Sequence, residues 1–496
     1  MKGSVTLVGA GPGDPGLLTQ KGRAALERAQ VVVYDRLVSP AILELMPQGA
    51  ERINVGKQAS HHPIPQEQIN RILLEKALAG KDVVRLKGGD PFLFGRGGEE
   101  LELLRAHGVP FEVVPGVTSA IAVPAYAGIP VTHREFTSSL HIITGHARAG
   151  RELDIDFEAL VRTGGTLVFL MGVTSLPTIC AGLLAAGMAP DTPAAVIERG
   201  TTPRQRRVDG TAATLAQRAR EMEVESPAIS VFGPVCALAE EFDWFDQLPL
   251  KGRHVVVTRP KQRAGTLSQR LRALGADVEE YPCIQTVPVT PCPEMEKALE
   301  RLGEYEWLAF TSPAGVEACR ACLEGLGKDA RALAGVKLAA IGPGTARALG
   351  AWGLRADYIP GAYDAAHLGE GLAERAQGRV LLLRAREGSP ALTQALAARG
   401  VGFEDVACYD TLYQNPFSAQ LRARLEGGEG ILVTFTSAST VKGFASSVGE
   451  GAHLGRITGV CIGAQTANQA QKHGIPTVVA REATLDALVQ AVLDAV

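Results

Sequence analysis

The feature that most limits how this chain can fold is a regular alternation of short apolar runs with stretches of helical spacing, each apolar run ending in glycine or an acidic residue. VTLVGA (5–10), VVVYD (31–35), DVVRLKGGD (82–90) and FEVVPG (111–116) have the length and composition of buried strands. Between them, LTQKGRAALERA and PQEQINRILLEKALAG space their apolar residues as helices do. Strands separated by crossover helices pair mostly in parallel, so the fold class expected is α/β. From His141 the pattern resumes, with LHIITGH, GTLVFLMGV, PAAVIERGT and AISVFGPV as strands and TTPRQRRVDG as a basic turn among them. Two lobes are expected, about 1–125 and about 126–245.

The composition then shifts. EEFDWFDQLPLKGRHVVVTRP is acidic and aromatic up to Leu-Pro-Leu-Lys-Gly, and a fresh strand starts at His254. Residues 246–251 read as a linker and 252–496 as a second domain. That second domain repeats itself. WLAFTSPAGVEA (307–318) matches ILVTFTSASTVKGF (431–444), AAIGPGTARAL (339–349) matches VCIGAQTANQA (460–470), and HVVVTRP (254–260) resembles VLLLRAR (380–386). The Arg-ended strand precedes its partner unit in one copy and follows it in the other. This order predicts two similar lobes with one inserted into the other, about 252–288 plus 414–496 and about 289–413.

Charge and composition exclude several classes. Lys and Arg total 50 against 53 Asp and Glu, a net charge of −3, so nucleic acid is not an expected partner. At 46% hydrophobic residues the chain is not a disordered one. The N-terminal apolar run is too short for a signal peptide, and no stretch approaches the ~18 apolar residues of a membrane span. With eight scattered cysteines, the expectation is a reduced, cytoplasmic protein without membrane partners. Cys319 and Cys322 form a CxxC within helical GVEACRACLEGL, and His61-His62 has no ligand cluster nearby, so no metal is expected.

The first strand ends in Gly9-Ala-Gly11-Pro-Gly13-Asp14-Pro-Gly16, which contains a G-x-G-x-x-G pattern, and Asp35 ends the second strand where a dinucleotide fold keeps its ribose carboxylate. An NAD-dependent oxidoreductase is therefore one reading. Against it, Pro12 and Pro15 each remove an N–H that a pyrophosphate would need, and Asp14 adds a negative charge where the anion would sit. A zwitterionic ligand without phosphate, such as S-adenosylmethionine, suits the loop better. A second strand-end loop, Gly88-Gly89-Asp90-Pro91, repeats the chemistry and points to a crevice at the carboxyl ends of the strands.

VGAGPGDPGLLTQKG, VVVYDRLVS, NVGK, VVRLKGGDPFLFGRGGEE, VVPGVTSA and GIPVTHR together resemble uroporphyrinogen-III C-methyltransferase of the tetrapyrrole methylase family, over about residues 3–245. The resemblance implies a two-lobe tetrapyrrole methylase fold and two methyl transfers from S-adenosylmethionine to uroporphyrinogen III, giving precorrin-2 and S-adenosylhomocysteine. It implies cofactor contacts from Pro12, Gly88, Gly89, Asp90, Leu93, Thr118, Ser119, Met171 and Gly200, with Asp35 as proton acceptor and Lys57 as its partner acid. The octacarboxylate substrate calls for cations. Arg36, Arg85, Arg96, His133 and Arg134 lie in or beside the motif segments, and Arg36 and Arg134 are the strongest candidates. A homodimer through this half is also implied.

VVVTRP, LAFTSPAGV, AIGPGTA, ACYDTLY, VTFTSAST and IGAQTA, taken in order, resemble uroporphyrinogen-III synthase over about residues 252–496. The resemblance implies a two-lobe α/β fold that cyclises linear hydroxymethylbilane to uroporphyrinogen III. Tyr409 is the candidate proton donor to the leaving hydroxyl, and Arg259, Ser312 and Ser437 are candidate carboxylate contacts, the two serines also being natural helix N-caps. The chain is thus expected to be bifunctional, acting on small-molecule tetrapyrroles; the alternatives are the oxidoreductase above, or a methyltransferase carrying a non-catalytic tetrapyrrole-binding module.

Overall fold

The uninterrupted apolar runs of the first 115 residues become strands because both faces of their sheet are covered. In the computed structural model, residues 2–47, 49–56, 64–146, 153–259, 261–414, 418–427, 430–448 and 454–496 are described, and the chain divides into two units, Met1–Gly252 and Arg253–Val496. In the first unit β1 (Val5–Gly9), β2 (Val31–Tyr34), β3 (Glu51–Asn54), β4 (Val83–Lys87) and β5 (Phe111–Val114) form an all-parallel sheet of order β3-β2-β4-β1-β5. Val8, Val32, Val84 and Leu86 pack with Leu26 on one face, and Val5, Val31 and Val83 with Leu73 and Leu104 on the other. β1 leads towards β2 on one side, whereas β4 leads through the helix Gly97–Ala106 to β5 on the other, so the switch point of the sheet lies between β4 and β1.

A second sheet follows, of β6 (Leu140–Thr144), β7 (Thr166–Leu170), β8 (Pro193–Glu198), β9 (Arg206–Thr211) and β10 (Ala228–Phe232) in the order β6-β7-β10-β8-β9. β10 runs antiparallel to both β7 and β8, and β9 antiparallel to β8. Three expectations change here. The second half of the basic turn, from Arg206, belongs to strand β9 (Arg206–Thr211); only Val208 of the strand is buried, too weak an alternation to read as a strand. The helix Ser119–Tyr126, expected in the first lobe, buries Ala120 and Val123 in the core of the second sheet, against Val168, Ile197 and Val231. Residues 246–251 are not a free linker: Leu250 is fully buried, Phe245 nearly so, and Lys251 donates to the Gln205 carbonyl and pairs with Asp246.

The second unit contains two related sheets. β11 (His254–Val257), β12 (Asp277–Glu280), β18 (Ile431–Phe435), β19 (Ile457–Cys461) and β20 (Thr477–Val479) form one, all parallel, in the order β12-β11-β18-β19-β20. The other, ordered β13-β17-β16-β14-β15, takes β13 (Ile284–Pro288), β14 (Tyr305–Phe310), β15 (Lys337–Ala340), β16 (Arg379–Ala385) and β17 (Phe403–Tyr413). The sequence repeat has a topological counterpart: β17-β16-β14-β15 and β12-β11-β18-β19 occupy equivalent positions, so β16 answers β11 and β14 answers β18. The exception is β13. It was expected within the 252–288 segment of the first lobe, but it pairs antiparallel with β17 at the edge of the other sheet, because the long β17 extends far enough to template it.

Candidate functional site

Three strand ends meet at the switch point of the first sheet. A Cβ on Gly9 would lie 2.4 Å from the Gly116 nitrogen, and one on Gly116 would lie 2.2 Å from the Gly89 carbonyl oxygen. Only glycine lets these backbones approach so closely. Gly11 and Gly89, both at positive φ (76° and 68°), exchange two backbone hydrogen bonds of 3.1 and 2.8 Å. Asp90 fastens the arrangement: Oδ1 accepts from the amides of Phe92 (2.8 Å) and Leu93 (3.1 Å), and Oδ2 accepts from the Gly116 amide (3.1 Å).

The second sheet supplies another wall. Ile229 pairs with Leu170 and Ala228 with Glu198, so the ends of β7 and β8 flank the start of β10. Met171, half-exposed and at φ 56°, follows β7; Gly200, between Arg199 (φ 50°) and Thr201 (φ 62°), follows β8. A Cβ on Gly200 would lie 2.3 Å from Val123, and one on Gly13 would lie 2.8 Å from Thr202. The glycine loop, the helix that begins at Thr118-Ser119, and the Gly200 turn are therefore in contact. Thr118 caps that helix by accepting from the Ala120 amide at 3.2 Å, and Leu93 packs against the same core as Val123. Pro12, Gly88, Gly89, Asp90, Leu93, Thr118, Ser119, Met171 and Gly200 all stand on loops at carboxyl strand ends or on the helix start beside them.

Asp14 has a different role from the one expected. Its Oδ1 accepts from the Gly16 amide (2.7 Å) and its Oδ2 from the Tyr126 hydroxyl (2.7 Å), so it shapes the loop. Burial, then the Asp14 carboxylate, push the Tyr126 pKa up and keep the hydroxyl a donor. A floor of glycine backbone without Cβ atoms, and proline where a pyrophosphate needs N–H, fit a nucleoside–amino acid ligand better than a dinucleotide.

Asp35 follows β2. Its Oδ1 accepts from the Leu37 amide (3.0 Å) and its Oδ2 lies 3.6 Å from Arg85 Nη2. Behind it is a buried charge cluster that the sequence did not reveal. Glu100 Oε1 receives Lys87 Nζ (2.8 Å), Arg85 Nε (3.2 Å) and Gln66 Nε2 (3.2 Å), and Glu100 is wholly buried. Burial and the neighbouring Arg85 charge hold the Lys87 pKa below the ordinary lysine value, against the pull of Glu100 and Asp35. Arg85, expected among the substrate cations, is thus committed to this cluster, and Arg96 pairs with Glu99 at 2.6 Å. Arg36 and Arg134 are exposed. Lys57, His61 and His62 lie outside the described residues.

In the second unit Ser312 follows β14 and accepts from the Gly315 amide (3.2 Å), capping the helix Pro313–Gly325. Ser437 follows β18 and accepts from the Thr440 amide (3.2 Å) at the start of the helix Ala438–Val448, with Ser439 Oγ at 2.8 Å. Arg259 follows β11 and is half-buried, at a carboxyl end of the same sheet as Ser437. Tyr409 is 8% exposed in the core of the other sheet, near Cys408, Ala314 and Val316. Cys319 is packed in that core too. Among the described residues no group of three or more His, Cys, Asp or Glu is arranged to hold a metal, and no helix is long and apolar enough to cross a membrane.

Comparison with known proteins adds sequence kinship. The family model of tetrapyrrole (corrin/porphyrin) methylases matches residues 4–216, and that of uroporphyrinogen-III synthase HemD matches residues 265–490. The porphyrin biosynthesis protein HemD of Ruminiclostridium josui is 49% identical over 494 residues, 99% of this chain and 98% of that protein. The uroporphyrinogen-III C-methyltransferase of Bacillus subtilis is 46% identical over 311 residues, 62% of this chain and 64% of that protein. A crystal structure of uroporphyrin-III C-methyl transferase from Thermus thermophilus, complexed with S-adenyl homocysteine, matches 48% of this chain and 100% of its own at 44% identity, with a TM-score of 0.42.

Proposed function

The chain belongs to the tetrapyrrole methylase family in its first unit and to the uroporphyrinogen-III synthase family in its second, and from that membership we propose a bifunctional enzyme of tetrapyrrole biosynthesis. The second unit cyclises hydroxymethylbilane to uroporphyrinogen III. The first methylates that product twice to precorrin-2. The observation that carries the methyltransferase reading is the glycine-floored crevice where Gly9, Gly89 and Gly116 pack without Cβ atoms.

S-Adenosylmethionine, when bound there, supplies an electrophilic methyl on sulfur and leaves as S-adenosylhomocysteine. Pro12, Gly88, Gly89, Leu93, Thr118, Ser119, Met171 and Gly200 would hold it, with Asp90 keeping the strand-end loops closed beneath. A pyrrole carbon is the nucleophile, and the methylated macrocycle must then lose a proton. Asp35 accepts that proton, its carboxylate aimed by the Leu37 amide and Arg85, and Lys57 is its proposed partner acid. Arg36 and Arg134, exposed cations in the motif segments, meet the substrate carboxylates.

In the second unit the substrate loses its terminal hydroxyl as water, ring D is inverted through a spiro intermediate and the macrocycle closes. Holding the linear chain folded is the main task. Arg259, Ser312 and Ser437, at carboxyl ends of the two sheets, are the proposed carboxylate contacts, with Tyr409 as the proposed proton donor.

Calorimetric titration of the full chain with S-adenosylhomocysteine and, separately, with NAD and NADH tests the cofactor assignment. Saturable binding of S-adenosylhomocysteine alone is expected. Tight NAD or NADH binding would overturn it in favour of an oxidoreductase.

A further inference from the structure

The segment just before the second unit is tied into both walls of the crevice. Tyr126, the last residue of the helix Ser119–Tyr126, donates to Asp14 of the glycine loop. Its ring is gripped by Trp244, edge-on with centroids 4.9 Å apart, and by Phe245 at 4.8 Å; Trp244 Nε1–H also donates to the Ala125 carbonyl at 3.0 Å. A second route runs through Gln205, which is 6% exposed. Its Oε1 accepts from the Thr201 amide (2.8 Å), its Nε2 donates to the Tyr126 carbonyl (3.0 Å), and its own carbonyl accepts from Lys251 Nζ (3.0 Å). Lys251 also pairs with Asp246 and stands over the Phe245 ring at 4.8 Å.

The two routes end on opposite sides of one contact, since the Asp14 amide donates to Thr201 Oγ1 at 3.3 Å. Arg199 and Thr201 are both at positive φ, a conformation that persists only where the surroundings over-determine it. At Thr201 those surroundings include Gln205, which the segment holds through Lys251, whereas Arg199 is held by the Pro227 carbonyl and by Glu198 and Glu225. No chemistry of the methyl transfer needs Trp244, Phe245 or Lys251, yet they fix the two loops between which the ligand would sit.

We propose that Asp243–Lys251 braces the cofactor crevice, with Tyr126 and Gln205 as the positioning residues, so that seating this segment and filling the crevice with S-adenosylmethionine are coupled. The proposal rests on the cofactor reading above. Coupling is reciprocal: what loosens the segment weakens the ligand, and the ligand tightens the segment.

The test uses the full chain and S-adenosylhomocysteine as probe, with calorimetry for Kd and tryptophan emission for the segment. Tyr126→Phe removes a hydrogen bond to a carboxylate and should weaken binding about tenfold. Trp244→Ala, at a half-exposed ring, should weaken it in the same direction by a smaller factor and serves even where Tyr126→Phe does not fold. In both, KM for S-adenosylmethionine should rise more than kcat falls, a split that general destabilisation would not give. The ligand should also change tryptophan emission in the wild type and not in Trp244→Phe. Unaltered Kd and KM in both variants, with wild-type binding intact, overturns the brace alone. Failure of the wild type to bind the probe overturns the cofactor reading and the brace with it.

Discussion

Replacing Glu100 by leucine gives a sharp test of how the first unit is built. Glu100 is wholly buried and its Oε1 is the shared acceptor for Lys87, Arg85 and Gln66, so Glu100→Leu leaves two buried cations with Asp35, 3.6 Å from Arg85, as the carboxylate left beside them among the described residues. Breaking a buried pair by removing one partner costs about 3–5 kcal/mol. For a unit of this size, with roughly 2–4 °C of Tm per kcal/mol, the loss is about 6–20 °C. The penalty has a pH signature. The Lys87 pKa already lies below its usual value through burial and the Arg85 charge, and without Glu100 it falls further. A lysine with a depressed folded pKa destabilises while charged, so the deficit is largest at low pH and shrinks as pH rises through the folded value. Adding Lys87→Met to Glu100→Leu should return part of the loss, a positive interaction in a double-mutant cycle. Scanning calorimetry of the full chain measures this, with S-adenosylhomocysteine added to mark the transition of the first unit by its upward shift. A loss below about 1 kcal/mol, or a shift in the other unit's transition, would refute the argument that these charges depend on Glu100.

Three further outcomes follow from the geometry. Asp35→Asn should lower methylation by about 10²-fold or more while sparing cyclisation of hydroxymethylbilane, read by separate product assays; equal loss of both would make Asp35 structural. Gly116→Ala places a Cβ 2.2 Å from the Gly89 oxygen, which forces the strand ends apart and should abolish S-adenosylhomocysteine binding, whereas unchanged calorimetric affinity would mean the crevice lies elsewhere. His254 opens β11 with Nδ1 3.6 Å from Asp277 and Nε2 3.3 Å from Glu279, while Arg424 also pairs with Asp277 and Ser418 donates to Glu279. Burial works to lower its pKa, but the two carboxylates outweigh burial and raise it to about 9. With a folded value above the unfolded ~6.5, the stabilisation is complete below pH ~6.5 and is lost as pH rises through about 9, on the order of 3 kcal/mol. Urea unfolding of the second unit across that window should show this slope, and His254→Leu should flatten it; a slope unaltered by the substitution would assign it to other groups.

The parallel sheets were legible because a strand buried on both faces is an apolar run, and DVVRLKGGD is one even though it carries Arg85 and Lys87. The internal repeat gave the paired architecture of the second unit, since the TS turns at Ser312 and Ser437 mark equivalent strand ends. Strand β9 escaped because only Val208 faces the core, and β13 because its place depends on pairing with distant β17. At the site, the glycine loops announced themselves, since glycines in series at a strand end have few other uses. The Asp35–Arg85–Glu100–Lys87 cluster did not: Arg85 stands 50 positions after Asp35 in the chain, and each Glu of GRGGEE reads as a solvated helix residue. Tyr126 and Gln205 were missed for the same reason, their partners Asp14 and Thr201 being remote in sequence or without a side-chain signature.

The central claim is that one chain carries two consecutive steps. Incubating the purified protein with hydroxymethylbilane and S-adenosylmethionine, and separating the products by chromatography with mass detection, tests it directly. Precorrin-2 with two equivalents of S-adenosylhomocysteine is expected, with no other enzyme added. Uroporphyrinogen I as the sole macrocycle, with S-adenosylmethionine unconsumed, would contradict it.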